Sequence, residues 1–118
     1  MIKLVFPYPP SELNPNKRLH WAQKVKLKNQ QKDIGHCLAS RYKDEFNDAK
    51  TIALSLVFYA ESKRPFDLDN ALASCKALID GISKGLNFND KNFLPITIDR
   101  GEPDKKQPRV EISLEKKC

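Results

Sequence analysis

TIALSLVFYA, residues 51–60, is the stretch of this sequence with the clearest structural pattern. Apolar residues occupy every second position within it: Ile52, Leu54, Leu56 and Phe58. Successive side chains of an extended chain point to opposite faces, so this alternation predicts a strand with one face buried. Its β-branched and aromatic residues are types that strands favour. We therefore expect the fold to be built around a sheet that contains this strand.

Weaker patterns on either side predict the other elements. Apolar runs predict further strands at residues 2–6, 93–98 and 109–114. Apolar residues spaced by three and four predict a helix from about Asn70 to Lys84. They also predict a helical region from His20 to Phe46, either continuous or broken near Gly35. Strands and helices segregate along the chain, which favours an α+β class. We expect a single domain, residues 1–118, with a mixed sheet of about four strands and two or three packed helices.

Composition excludes several classes of protein. The 118 residues are 40% hydrophobic and 31% charged, which is typical of a folded globular domain. No stretch approaches the roughly 20 apolar residues of a membrane-spanning helix, and the apolar N-terminus is too short for a signal peptide, so we expect a cytoplasmic protein. The three cysteines, Cys37, Cys75 and Cys118, form no C-x-x-C pair, and we interpret them as free thiols.

The net charge of +6 favours a polyanionic partner, because each phosphate that Lys or Arg neutralises releases a condensed counterion. Candidate contacts stand in the polar loop before residue 20 and in the first half of the long helical region: Lys17, Arg18, Lys24 and Lys28. A basic helix face that only meets solvent is the alternative. Trp21 could stack on a base or sugar, or it could be a core or hinge residue, which is commoner for a lone tryptophan.

Two carboxylates, Asp67 and Asp69, stand two residues apart just before the predicted helix at Asn70. In extended chain this spacing directs both side chains to one side. Mg²⁺ takes oxygen ligands, usually one or two carboxylates with phosphate and water, and it can promote phosphodiester hydrolysis. The structural alternative is that Asp69 caps the helix while Asp67 faces solvent. Asp90, in the turn after the helix, could join the pair or could be an ordinary turn residue.

Three stretches match a known family both in their order along the chain and in their residue types. They are Asp67-Leu68-Asp69-Asn70, then Lys76-Ala77-Leu78-Ile79-Asp80-Gly81, then Asn89-Asp90. The opening Phe6-Pro7-Tyr8-Pro9-Pro10-Ser11 and the closing Arg109-Val110-Glu111-Ile112-Ser113-Leu114 extend the likeness over nearly the whole chain. In these features the sequence resembles the RusA family of Holliday junction resolvases.

The resemblance implies a fold, an activity and a set of site residues. It assigns metal binding to Asp67, Asp69 and Asp90 and the catalytic lysine to Lys76. It also implies a homodimer that cuts symmetry-related strands of a four-way DNA junction with Mg²⁺ or Mn²⁺, in recombination and repair. The basic residues named above would then grip the DNA arms. The resemblance also implies a bacterial, phage or prophage origin, which is where members of the family occur.

The position of the lysine departs from the family pattern. In the family it stands about one turn after the second Asp, whereas Lys76 stands seven residues after Asp69. In a continuous helix seven residues return to nearly the same face, about 20° away, but about 10 Å along the axis. Lys76 would therefore point in the same direction as the family's lysine but stand farther from the two Asp residues. It could either assist at the phosphate or form an ion pair with Asp80. A branched-DNA-binding protein that does not cut, or a nuclease for other branched DNA, is the alternative function.

Overall fold

The computed structural model describes all 118 residues and contains a four-stranded mixed sheet. The strands are β1 (Ile2–Pro7), β2 (Thr51–Tyr59), β3 (Phe93–Arg100) and β4 (Arg109–Lys117), and they lie in the order β1-β4-β2-β3. β4 pairs antiparallel with β1 and β2, whereas β3 pairs parallel with β2. A parallel pair needs a crossover connection, which the helices after β2 provide. The predicted α+β class, with a mixed sheet of about four strands, is confirmed.

Three helices pack on one face of this sheet. They are α1 (Trp21–Ser40), α2 (Leu68–Ser74) and α3 (Lys76–Leu86), and short 3-10 turns stand at Ser11–Leu13, Lys43–Phe46 and Asp90–Asn92. The alternating apolar residues of β2 are buried as predicted and share one core cluster with Leu78, Ile82 and Leu86 of α3. No helix is both long enough and apolar enough to cross a membrane.

Glycines let α1 and α3 approach each other closely. A Cβ atom at Gly81 would overlap the Lys32 carbonyl oxygen and lie 2.9 Å from the Lys32 Cα, and one at Gly35 would lie 2.5 Å from the Leu78 carbonyl oxygen. Gly35 therefore serves helix packing and does not break α1, which runs through it. The helix ends at Ser40 rather than at the predicted Phe46, because the chain tightens there into 3-10 geometry.

The helix predicted at residues 70–84 is in fact two helices, so that prediction is wrong in one respect. Cys75, at φ −94° and ψ 0°, separates α2 from α3, and its N–H bonds to the Leu72 carbonyl three residues back. Apolar residues keep their three- and four-residue spacing across the break, so periodicity alone indicated one helix. Burial raises the pKa of the Cys75 thiol to about 12. All three cysteines are free thiols.

Arg109 ties the loop between β3 and β4 to the sheet. Its guanidinium lies 2.7 Å from the Asp104 carboxylate, 2.8 Å from the Glu111 carboxylate and 4.0 Å from the centre of the Tyr59 ring. The Arg109 hydrogen bond holds the pKa of Glu111 below its ordinary value. The loop backbone also bonds to the chain that leaves β2, from the Asp104 N–H to the Ala60 carbonyl at 2.8 Å. These contacts fix the loop between β3 and β4 against the end of β2.

Candidate functional site

Asp67 is the N-cap of α2, and its Oδ1 accepts the Asp69 N–H at 3.0 Å. The alternative in which Asp69 caps the helix is therefore wrong. Asp69 lies in the first helical turn, where a negative charge interacts favourably with the helix dipole. Both residues are exposed, and neither makes an ion pair. The second oxygen of Asp67 and both oxygens of Asp69 are thus free at the start of α2.

The residue before this pair is fixed by contacts with the sheet. Arg100, at the end of β3, donates a hydrogen bond to the Phe66 carbonyl at 2.7 Å and stands 5.2 Å from the centre of the Phe66 ring. That ring also packs edge-on against Tyr8 and Phe58. Burial, and then proximity to Cys75, raises the pKa of Tyr8. Asp67 is held by this packing at the wall of a cavity of about 210 Å³, which Tyr8 and Phe66 also line.

Asp90 and Lys76 line a separate and larger cleft of about 540 Å³. Asp90 begins a 3-10 turn, which Asn89 caps by accepting the Lys91 N–H at 3.0 Å. Lys76 is the first residue of α3. Its apolar lining residues come from α2, α3 and β3: Leu72, Ala77, Ile79, Phe93 and Ile96. Its other charged lining residues are Lys28 and Lys32 of α1 and Asp80 of α3.

The break at Cys75 changes how Lys76 relates to the acidic pair. The seven-residue step from Asp69 to Lys76 does not follow one helix, so the predicted approach along a single axis is wrong. The predicted alternative, an ion pair of Lys76 with Asp80, is also not formed; Asp80 instead pairs with Lys32 of α1, at 3.9 Å. Lys76 is exposed, has no ion-pair partner and lines the cleft that contains Asp90.

The structure thus brings Asp90 to Lys76 and places Asp67 in a neighbouring cavity. No group of three or more Asp, Glu, His or Cys side chains lies close enough to hold one metal ion. Asp67 and Asp69 alone still offer the oxygen donors that Mg²⁺ takes, and one or two carboxylates with phosphate and water make up its usual shell. The predicted geometry, in which extended chain directs both carboxylates to one side, is wrong, because α2 already begins at Leu68 and Asp69 lies inside the helix. What remains at the start of α2 is a pair of donors of the type that Mg²⁺ takes.

Lysines of α1 and α3 line two adjacent clefts beside this region. A third cleft, of about 340 Å³, is lined by Lys24, Lys28 and Lys76, and it shares Lys28 and Lys76 with the cleft that contains Asp90. We call the two adjacent clefts together the lysine groove; its lysines are Lys24, Lys28, Lys32 and Lys76. Only Lys32 pairs with a carboxylate. Ser74 lines both this groove and the Asp67 cavity, so the two are adjacent.

The excess positive charge of the chain is concentrated beside the lysine groove. Residues 13–32 contain six Lys or Arg and no Asp or Glu, and the other 15 basic residues are balanced by 15 acidic ones. Of the predicted contacts, Lys24 and Lys28 line the groove, while Lys17 and Arg18 are exposed in the loop before α1 and make no ion pair. The arrangement suits a polyanion that follows α1.

The structure adds to the sequence-based interpretation of this region at three residues. Trp21 is 73% exposed, so its interpretation as a core residue is wrong. Lys32 is not among the predicted contacts, although it follows Lys28 by one helical turn, a spacing that is visible in the sequence. The contact of Arg100 with Phe66 depends on the pairing of β3 with β2, for which the sequence has no local signal.

No protein-family model matches this sequence. The chain is similar to a protein of Xylella fastidiosa (strain Temecula1) that carries the name "Uncharacterized protein", with 30% identity over 97 residues. The similar region covers 80% of this chain and 63% of that protein, so this chain spans less than two thirds of the length of its relative.

Proposed function

We propose that this protein is a Mg²⁺-dependent endonuclease of the RusA type that resolves four-way DNA junctions in recombination and repair. The observation that carries the proposal is the lysine groove, which contains Lys76 and Asp90 and adjoins the cavity of Asp67. A phosphate backbone bound in this groove would pass close to the free carboxylates at the start of α2. The resemblance of residues 67–90 to the RusA family supports the proposal independently.

The residues have distinct roles in this proposal. Asp67 and Asp69 would hold the ion, Asp90 is the third acidic residue that the resemblance assigns to it, and Mn²⁺ should substitute for Mg²⁺. When bound, such an ion activates water and stabilises the leaving oxygen in phosphodiester hydrolysis. Lys76 would offset the charge of the scissile phosphate. The phosphates of the DNA arms contact the four predicted basic residues, Lys17, Arg18, Lys24 and Lys28.

The proposal includes a homodimer that works in the cytoplasm. Resolution of a four-way junction needs two coordinated cuts in symmetry-related strands. A two-fold symmetric dimer has two equivalent sites and therefore matches the symmetry of that substrate.

A gel assay on a labelled four-way junction and a duplex of matched sequence tests the function, with Mg²⁺, Mn²⁺ or EDTA present. Paired nicks in the junction, dependent on metal and absent from the duplex, are expected. Binding of the junction without nicks under either metal would favour the alternative, a branched-DNA-binding protein of the same fold. Equal cutting of flaps and four-way junctions would favour a nuclease for branched DNA in general.

Lys28 is the best residue for testing the groove, because it lines both of its clefts. Lys28→Ala is expected to weaken junction binding in EDTA several-fold. It should also reduce the slope of log affinity against log salt by about 1, since one phosphate contact is lost.

Lys26→Ala is the matched control for this prediction. It removes the same charge from the same helix, but Lys26 lines a separate pocket with Gln23, Leu27 and Gln30. This variant should retain the affinity and salt slope of the unmodified protein. Equal losses in the two variants would mean that net charge, and not the groove, determines binding.

A further inference from the structure

Trp21 is the most exposed aromatic side chain on the basic side of the molecule, and nothing in the proposed cutting reaction uses it. Its side chain is 73% exposed at the first residue of α1. It is not a loose side chain at a frayed end, because His20 caps the helix by accepting the Ala22 N–H at Nδ1, 3.3 Å away. The His20 ring stacks on the indole, with 6.1 Å between ring centres and 25° between planes. One face of the indole is thus supported while much of its surface meets solvent.

Trp21 also stands at the head of the row of lysines that line the lysine groove. Lys24, Lys28 and Lys32 follow it at three, seven and eleven residues, and these steps keep all four side chains on one side of a helix. The row extends over roughly 16 Å, enough for about four or five nucleotides at a rise of 3.4 Å each. No acidic residue interrupts residues 13–32. The exposed indole of Trp21 is therefore followed directly along α1 by a row of positively charged side chains.

This combination matches the chemistry of an unpaired strand. Lysines bind the phosphates of any strand, but an exposed indole can stack on a base only where the base has left its own duplex stack. A fully paired duplex offers Trp21 no free base face. We propose that Trp21 and the lysine groove form a binding site for single-stranded DNA, in which the indole stacks on an unpaired base. The inference rests on the proposed function for its choice of DNA, and it adds that the substrate has unpaired nucleotides beside its paired arms.

The sequence contains one tryptophan, so the indole fluorescence of the protein reports on Trp21 alone. We would titrate the protein in EDTA with a 20-nucleotide oligo-dT, an abasic oligonucleotide of the same length, and a duplex. Oligo-dT is expected to quench the fluorescence, while the abasic strand should bind through its phosphates and leave the fluorescence unchanged. Equal quenching by the abasic strand or the duplex, or no binding of oligo-dT, would overturn the inference.

A substitution provides a second readout by anisotropy of labelled oligo-dT. Trp21→Ala is expected to weaken binding of oligo-dT about 10-fold and to leave binding of the abasic strand unchanged. The matched control is Val25→Ala, which removes a 45% exposed apolar side chain from the same face of α1 and should keep the affinity of the parent protein. Equal losses for oligo-dT and the abasic strand would instead assign Trp21 a structural role.

These measurements use neither a divalent metal nor a junction. A failure of the junction-cutting assay therefore leaves the single-strand site standing. If oligo-dT does not quench the fluorescence, the single-strand site is wrong. The proposed cutting reaction is then still tested separately by the junction assay.

Discussion

Asp69→Asn is expected to lower the rate of metal-dependent junction cleavage by at least about 100-fold, because metal-assisted charge stabilisation contributes several kcal/mol to the barrier. Binding of the uncut junction in EDTA should stay the same or tighten, since the change removes a negative charge beside DNA phosphates. Asp69 is exposed and makes no hydrogen bond through its side chain, so the substitution leaves the fold intact. Single-turnover cleavage rates and junction affinities of the two proteins provide the measurement.

Two further variants separate chemistry from stability. Asp67→Asn should show the same loss of cleavage while the helix keeps its N-cap, because Asn and Asp cap helices about equally well. Asp44→Asn makes the same chemical change at an exposed carboxylate in the 3-10 turn after α1, and it should cleave normally. Cleavage at the full rate by Asp69→Asn and Asp67→Asn would remove the start of α2 from the active site.

Gly81→Ala is expected to lower the free energy of unfolding by about 3 kcal/mol, the upper range for overpacking a tight contact. In an open helix the same change would raise stability by up to about 1 kcal/mol, so the sign of the effect is diagnostic. The added Cβ would overlap the backbone of Lys32, which cannot rotate away as a side chain can. α1 and α3 would have to separate. Thermal or urea unfolding measures the change, and a melting temperature lower by roughly 10–20 °C is expected.

Lys84→Ala is the control for this prediction, since it changes an exposed residue of the same helix and should alter stability by less than about 0.5 kcal/mol. Gly35→Ala tests the partner helix, where the added Cβ would lie 2.5 Å from the Leu78 carbonyl oxygen. It should destabilise the protein as well. A Gly81→Ala protein as stable as its parent would mean that the two helices are not held as closely as described.

The separation of Lys76 from the acidic pair matters for how the site is tested. Lys76 and Asp90 share one cleft, whereas Asp67 lines another that adjoins it through Ser74. A variant at Lys76 is therefore expected to change junction binding and cutting together. Variants at the start of α2 are expected to separate the two, because neither Asp67 nor Asp69 lines the groove.

Local pattern in the sequence was sufficient for much of the fold. The alternation of apolar residues located β2 within one residue, because every second side chain of a strand with one buried face points to the core. The α+β class, the other three strands and the existence of the helices also followed from such patterns. So did the basic character of the loop before α1 and of its first half, because charge is a property of composition.

Only the tertiary structure decided the break at Cys75, the neighbours of Lys76 and the role of the glycines. Periodicity shows only which side chains face the core. A single residue with ψ near 0° can interrupt a helix while the spacing of the apolar residues stays the same. Gly35 and Gly81 are 46 positions apart in sequence order, and nothing local shows that each receives the backbone of the other helix. The sequence by itself determined which residues are apolar, acidic or basic along each element. Packing between distant elements decided which of them share a cleft, because that depends on helix directions and close approaches that no local pattern encodes.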